Sequence, residues 1–254
     1  MNVNTRRSML MTALVLALVV ACASTALGNP MSAPRSRLSR GTSTNWSGYA
    51  AETSLASPQS GAVSDVVGTW QVPFVAGTLN AWSSAWVGID GYSSGTVEQI
   101  GTEQDTTVSG ATRYYAWYEM YPAGSALIRG FAVNPGNIIA AEVKYVSGKK
   151  YTLTLVNRST GKTYKVTKSA SAQRSSAEWV MEAPWSGGVL PLANFGVIGF
   201  TGCKATVNGL TGPINQTAND PVTMVTDGAN SVTKAAPSAL SPDGTTFGVA
   251  WYHQ

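Results

Sequence analysis

Apolar and polar residues alternate in short runs along the chain after Asn45, and Gly, Pro, Asn and Asp separate the runs. No stretch of this part shows a convincing helical period. Short alternating runs are typical of β-strands with one face toward a core, because successive side chains of a strand point to opposite faces. The runs that predict strands are residues 66–72, 85–89, 113–122, 138–146, 151–156, 163–167, 177–182, 195–201, 222–226 and 247–252.

Turn signals lie between several of these runs. Residues 157–162 (NRSTGK) predict a hairpin turn, and residues 134–137 (NPGN) predict a second turn. Many short strands with turns between them indicate a β-sandwich or a β-barrel. The length from residue 45 to residue 254 suits one domain with a substantial core.

The run at residues 113–122 (RYYAWYEMYP) places one carboxylate in a row of aromatic side chains. As a strand, it has Tyr115, Trp117, Glu119 and Tyr121 on one side. A ligand cleft combines large flat surfaces with a few polar groups, and this row fits that description. An exposed carboxylate on a half-solvated sheet face is the alternative, because antiparallel sheets commonly have one wet face.

Three further runs place polar residues on common faces. In residues 86–90 (WVGID), Trp86 and Asp90 share a side of the strand, and in residues 97–100 (VEQI), Gln99 lies opposite Glu98 and Ile100. Glu178 and Glu182 also share a side. Stacked as neighbours, these strands would form one concave floor that carries Trp86, Asp90, Gln99, Glu119, Tyr121 and Glu182.

The chemistry of such a floor is limited to carboxylates, a carboxamide, phenols and indoles. The chain has one histidine, His253, and one cysteine after residue 22, Cys203. A Cys-His pair or a Ser-His-Asp triad is therefore hardly available as a catalytic group. Zinc ligands are missing, a calcium site built on Asp90 has no further support, and no cofactor is implied. Two mechanisms remain: paired carboxylates hydrolyse a glycosidic bond, or one carboxylate activates water against a carbonyl while an amide holds the oxyanion.

The first residues predict export. Arg6 and Arg7 precede an uncharged apolar run at residues 9–21, so residues 1–26 are interpreted as a secretory signal peptide. Lipidation of Cys22, with tethering to a membrane, is the alternative to simple secretion. Residues 27–44 are interpreted as a flexible linker or a short pro-segment, and residues 45–254 as a single domain.

The net charge of +4 arises from the N-terminal region. Five of the seventeen basic residues precede Asn45, which leaves twelve against thirteen acidic residues in the predicted domain. This balance implies no nucleic-acid partner.

Five blocks of the sequence resemble the glutamic peptidases, or eqolisins, which are acid proteases first described in fungi and also found in bacteria. The matching blocks are residues 45–49 (NWSGY), 85–91 (AWVGIDG), 98–101 (EQIG), 114–122 (YYAWYEMYP) and 177–182 (AEWVME), with weaker similarity from residue 200 onward. The blocks follow the family order and cover nearly the whole chain after Asn45. The chain is therefore interpreted as a bacterial-type member.

The resemblance implies an antiparallel β-sandwich of two bent sheets, of the concanavalin-like or jelly-roll-like kind. It also implies a monomeric acid endopeptidase that acts on polypeptides, without a membrane anchor unless Cys22 is lipidated. Its catalytic pair would be Gln99 and Glu182, with Glu182 as general base and acid on water and Gln99 at the oxyanion. The cleft would be lined by Trp86, Asp90, Glu119, Tyr121 and Tyr115.

Two residues depart from the fungal pattern. Fungal members commonly have Asp in place of Tyr115 and Trp in place of Met120, so the proton-tuning network and one cleft wall differ. A carbohydrate-active or carbohydrate-binding sandwich that uses Glu119 and Glu182 remains the main alternative. A glycosidase needs two carboxyls that flank one bond, and Gln99 would be dispensable to it.

Overall fold

The computed structural model describes residues 37–254, and its regular structure consists of strands apart from one 3₁₀ turn at Ile214–Gln216. The predicted signal peptide and the predicted linker before Arg37 lie outside the described residues. Within the described part of the chain, no helix has the length and apolar character needed to cross a membrane.

The first of two sheets is antiparallel throughout. Its strands, in spatial order, are β15 (Ala218–Val225), β3 (Trp46–Glu52), β12 (Ser176–Glu182), β5 (Ala81–Ile89), β6 (Val97–Thr106), β7 (Thr112–Tyr121) and β8 (Ala123–Leu127). The central strands β3, β12, β5 and β6 are buried on both faces.

The second sheet packs against the first. Its strands, in spatial order, are β16 (Thr233–Pro237), β17 (Phe247–Trp251), β13 (Val197–Val207), β4 (Val63–Gln71), β9 (Ile138–Ser147), β10 (Lys150–Asn157) and β11 (Lys162–Ser169). β14 (Leu210–Pro213) forms a hairpin with β13. β15 joins the two sheets, because its first half pairs with β3 and its second half pairs with β16.

The main core lies between the sheets. Trp179 of the first sheet and Trp70 and Phe200 of the second are almost fully buried there. Each such side chain stabilises the fold by about 1.5–3 kcal/mol through burial alone. Cys203 is also buried in this core as a free thiol, as its small apolar character predicts.

The fold class is confirmed, and each predicted strand falls on an observed one with somewhat different ends. The hairpin turn between β10 and β11 is present, with the Gly161 N–H bonded to the Asn157 carbonyl at 2.8 Å. The turn at residues 134–137 is closed by the Asn137 N–H and the Asn134 carbonyl at 3.1 Å.

Strand structure begins earlier than the predicted domain boundary at Asn45. β1 (Arg37–Ser39) pairs with β2 (Thr42–Ser43), and β2 also pairs in parallel with β15. The stretch was predicted to be part of a flexible linker because it is rich in Pro, Ser and Arg and shows no apolar period, which strands of two or three residues are too short to give. β2 is held by β15, which is distant in sequence, and the Thr223 N–H donates to the Gly41 carbonyl at 2.8 Å.

Gly48 in β3 is required by the close approach of β12. Its φ is +150°, and a Cβ at this position would lie 2.0 Å from the Trp179 carbonyl oxygen. We therefore expect Gly48→Ala to destabilise the domain by more than ~3 kcal/mol, which lowers Tm by roughly 10 °C. Thermal unfolding checks this, with the strand variant Gly248→Ala as a control, since the nearest heavy atom to its Cβ would lie at 3.6 Å. Equal Tm values for the two variants would contradict the clash.

Candidate active site

The outer face of the first sheet, which is turned away from the second sheet, carries a second apolar cluster. Trp46 packs edge-on against Trp86 with ring centroids 4.8 Å apart. Trp117 and Val180 are buried in the same cluster, and Tyr115 packs against it. Glu119 is fully buried on this face, so the alternative of an exposed carboxylate on a half-solvated face is wrong.

Strand register arranges the polar residues of this face in rows across the sheet. One row, named here the Glu182 row, contains Glu182, Ser84, Glu103 and Tyr115. A second row, the Gln99 row, contains Glu178, Gly88, Gln99 and Glu119. The two rows lie four residues apart along each strand, with the row of Trp86 and Gly101 between them. Gly101 leaves the space that Trp86 fills, since a Cβ there would lie 2.6 Å from the Trp86 Cβ.

Glu182 ends β12 and is fully buried. The Trp86 Nε1–H donates to its Oε2 at 2.8 Å, and the Asn45 Nδ2 lies 3.5 Å from its Oε1. The Asn45 side chain is held in turn by the Ser43 hydroxyl, which donates to Asn45 Oδ1 at 2.8 Å. N–H donors on both oxygens favour the ionised carboxylate, which is the form that accepts a proton from water.

Gln99 is fully buried on β6 and bonded to Glu119 across the strand pair. Its Nε2 donates to Glu119 Oε2 at 2.8 Å. Its Oε1 is buried and has no hydrogen-bond partner in the described part of the chain. One N–H of the Gln99 carboxamide is thus bonded to Glu119, whereas its second N–H can donate to a ligand and its carbonyl oxygen can accept from one.

Glu119 stays protonated over a wide pH range. Burial, followed by the charge of Glu182, raises its pKa to about 9, although hydrogen bonds from Gln99 and from the Ser125 backbone oppose the shift. The carboxyl is therefore neutral under acid conditions. Its contact with Gln99 fixes the carboxamide without adding a second charge beside Glu182.

Two carboxyls of this face, Glu103 and Asp105, were missed by the sequence analysis. They lie on β6 with the same parity as Gln99 and are 3% and 5% exposed. Burial and then Asp105 raise the pKa of Glu103, and burial raises the pKa of Asp105 to about 7. The charge of Glu182 also raises the pKa of Glu103, so the two carboxyls interact electrostatically.

Tyr115 joins this carboxyl pair. It faces Glu103 across the β6–β7 pair and hydrogen bonds with Asp105. Burial, followed by the charges of Glu103 and Asp105, raises the pKa of the phenol, which therefore remains protonated as a donor. The phenol thus takes part in a carboxyl network, at one of the two positions where the sequence departs from the fungal pattern.

Asp90 is placed differently from the prediction. It follows the end of β5 with φ of +72°, so strand alternation no longer sets its direction. Its carboxylate accepts the backbone N–H groups of Arg174 and Ser175 at 2.7 and 2.8 Å and the hydroxyls of Ser175 and Thr96. These contacts give it the role of anchoring the segment before β12. They also leave the calcium interpretation without support, because the carboxylate oxygens are occupied by hydrogen-bond donors.

Trp86 and Tyr121 lie on the predicted outer face. Trp86 contacts Glu182, and Tyr121 packs against the outer-face cluster at the end of β7. Among residues 37–254, no group of three or more His, Cys, Asp or Glu side chains is arranged to hold a metal ion. The chemistry available here is therefore that of carboxyls, a carboxamide and a phenol.

The site thus combines a two-sheet sandwich with a buried Gln and several buried carboxyls on one aromatic face. Residues 44–244 match the Peptidase A4 family, and the chain belongs to this family. The resemblance to the glutamic peptidases is thereby confirmed.

Two curated relatives are similar to part of the chain. Aspergillopepsin-2 from Aspergillus niger is 34% identical over 145 residues, which cover 54% of this chain and 51% of the relative. Scytalidopepsin B from Scytalidium lignicola is 32% identical over 157 residues, which cover 57% of this chain and 59% of the relative. The chain thus spans somewhat more than half the length of the curated relatives it matches.

Solved structures agree over more of the chain. Scytalido-glutamic peptidase with a transition state analog inhibitor superposes with a TM-score of 0.68 at 26% identity, covering 82% of this chain and 98% of that one. Aspergilloglutamic peptidase from Aspergillus niger superposes with a TM-score of 0.57 at 28% identity, covering 68% and 99%. The sandwich is therefore the glutamic peptidase fold.

Proposed function

We propose that this protein is a secreted acid endopeptidase that hydrolyses peptide bonds with Glu182 and Gln99. The observation that carries the proposal is the buried Gln99 carboxamide. One of its N–H groups is fixed on Glu119, and its carbonyl oxygen is unpartnered within residues 37–254. Family membership supports a peptidase, and the two side chains lie on the same face of the first sheet, in rows four residues apart.

Glu182 is the proposed general base and acid. Held by the Trp86 indole and the Asn45 amide, its carboxylate takes a proton from a bound water as that water attacks the scissile carbonyl. The same carboxyl then gives the proton to the departing amine. Because one group both accepts and donates, the cycle needs no second acid.

Gln99 is the proposed oxyanion donor. Its second N–H stabilises the negative charge that develops on the carbonyl oxygen, and its own Oε1 accepts a hydrogen from the attacking water. An ionised carboxylate at this position would repel the oxyanion. Glu119 orients the carboxamide through its 2.8 Å contact and stays neutral in acid.

Acid conditions suit this arrangement. Glu103, Asp105 and Glu119 all have raised pKa values, so low pH keeps them neutral around the one carboxylate that must ionise. As the pH rises, new negative charge near Glu182 would oppose the oxyanion and distort the network. We therefore expect activity to be confined to the acid range.

Polypeptide substrates and secretion belong to the proposal as well. Related structures are described as complexes with a transition state analog inhibitor and with a peptide based transition state analog, which supports peptide binding. Secretion is inferred from the predicted signal peptide at residues 1–26. The carbohydrate alternative is less well supported, because the Glu119 carboxyl is engaged by Gln99.

The proposal is tested by digesting an acid-denatured protein with the purified chain from pH 2 to pH 8, beside Gln99→Ala. Loss of one oxyanion donor typically lowers kcat by about 10²–10³. We expect that loss for Gln99→Ala and wild-type rates for Gln71→Ala, which removes an exposed glutamine of β4. Proteolysis by Gln99→Ala at the wild-type rate would contradict the dyad. Cleavage of a polysaccharide in place of protein would favour the carbohydrate alternative.

A further inference from the structure

A separate cavity of about 620 Å³ lies beside the end of β12 that carries Glu182. Its walls come from five segments of the chain, and the lining residues used here are Thr44, Leu190, Val225, Asp227 and Lys234. Thr44 directly precedes Asn45, the residue whose amide lies against Glu182. The Leu190 N–H bonds to the Pro184 carbonyl two residues after Glu182. The cavity therefore neighbours the candidate active site on both chain segments.

Lys234 is the unusual residue of this cavity. It lies on β16 and is only 7% exposed. Within the described chain, its ammonium has no hydrogen bond and no ion pair. Burial lowers its pKa, and no neighbouring carboxylate opposes that shift. Asp227 lines the same cavity but is exposed and forms no ion pair with Lys234.

A buried cation without a counter-charge is costly unless it binds something. The cavity falls in the size range of small-ligand sites, and its wall is largely apolar with Lys234 as its cationic group. We infer that Lys234 binds a carboxylate of a peptide at this end of the candidate active site. The chemistry is that of a charge-assisted hydrogen bond between an ammonium and a carboxylate.

Two parts of a peptide can supply that carboxylate, namely its C-terminus and an Asp or Glu side chain. Both are ionised at pH 5, because their ordinary pKa values are about 3.3–4.3. The inference rests on the proposed function only in that it takes the ligand to be a peptide. Binding can be measured without cleavage, so the two proposals can fail separately.

The experiment measures the Kd of synthetic peptides for the Glu182→Gln variant by calorimetry at pH 5. One pair of peptides differs only in a C-terminal acid or amide, and a second pair, amidated at the C-terminus, differs only in one Glu or Gln. We expect one pair to show about a tenfold tighter Kd for the acid form. The preference should disappear in Glu182→Gln/Lys234→Met and persist with Lys165→Met, which removes an exposed lysine of β11.

A pH series supplies a second readout. The preference for the acid form should fall between pH 5 and pH 2.5 as the peptide carboxylate becomes protonated, while Lys234 remains charged throughout. Kd values that are equal for acid and amide forms in both pairs would overturn the inference, as would an equal loss of affinity for all four peptides in the Lys234→Met variant. Carboxylate-dependent binding without any proteolysis by the wild type would leave this site standing and remove the peptidase proposal.

Discussion

Glu182→Gln is expected to reduce proteolysis at the acid optimum by at least about 10³-fold while the protein stays folded. The substitution keeps the shape of the side chain and removes its capacity to take a proton from water, which is the step assigned to Glu182. The Trp86 indole can still donate to the remaining carbonyl oxygen, so packing on the outer face should be little changed. The measurement is kcat/KM on an internally quenched peptide, with unfolding curves to show that the variant is folded.

The matched control is Glu178→Gln. Glu178 lies on the same strand and the same face, four residues from Glu182, and is equally buried. Burial raises its pKa, so it is a neutral acid in the folded protein and a glutamine replaces it with little change. We expect Glu178→Gln to retain activity within a few-fold. If Glu178→Gln were the inactive variant and Glu182→Gln the active one, the assignment of the base would be reversed.

Alternation predicted the outer face because its strands are regular. In β7 and β12, successive residues do fall alternately into the inter-sheet core and the outer-face cluster, as Trp179 and Val180 show. The choice between Glu178 and Glu182 could not come from alternation, since both have the same parity. That choice came from the family resemblance, and the contacts of Glu182 with Trp86 and Asn45 give it a physical basis.

Glu103 and Asp105 were missed because the strand prediction stopped at Ile100. Residues 102–106 (TEQDT) contain no apolar side chain, so no hydrophobic period marks them as a strand. In the fold, Thr102 faces the core and its hydroxyl accepts the Trp70 indole N–H at 3.0 Å. The Trp70 indole thus gives the buried Thr102 hydroxyl a hydrogen-bond partner, which allows a polar residue to lie in the core. Because Trp70 lies on another strand far away in sequence, the pattern around Thr102 could not predict this contact.

The position of Asp90 was predicted differently for the opposite reason. The alternation of side chains was extended one residue beyond the end of the strand at Ile89. The strand ends at Ile89, and the left-handed conformation of Asp90 turns its carboxylate toward the Arg174–Ser175 backbone. An Asp before a Gly is often found in turns, and that local signal was the better guide here. The fold around the site was therefore predictable where strands were regular, and not where a chain reversal or a distant partner set the geometry.

The stability of the domain should be highest in acid and should fall as the pH rises from about 4 toward neutrality. Burial raises the pKa of Glu98 and of Glu119 to about 9, and it also raises the pKa of Glu103 and Glu178. Each of these carboxyls holds a proton in the folded state that the unfolded chain releases above pH ~4.3. The folded state therefore binds more protons, and the free energy of unfolding decreases with pH by about 1.4 kcal/mol per unit for each group.

Glu98→Gln isolates one of these contributions outside the candidate active site. Glu98 lies on β6 with its side chain opposite to that of Gln99, and the nearby Asp90 adds to the effect of burial on its pKa. Glutamine is neutral at every pH, so the variant should match the wild type near pH 4 and exceed its free energy of unfolding by up to about 4 kcal/mol at pH 7. Urea unfolding at pH 4, 5.5 and 7 measures this difference.

Glu142→Gln is the control, since Glu142 lies on β9, is only half-buried and neighbours Lys144 at 4.0 Å. It should leave the pH dependence of unfolding unchanged. A wild-type protein that is as stable at pH 7 as at pH 4 would mean that the buried carboxyls ionise without cost, and it would contradict their raised pKa values. A slope that flattens in Glu98→Gln but not in Glu142→Gln would show that the burial of Glu98 makes the fold less stable as the pH rises.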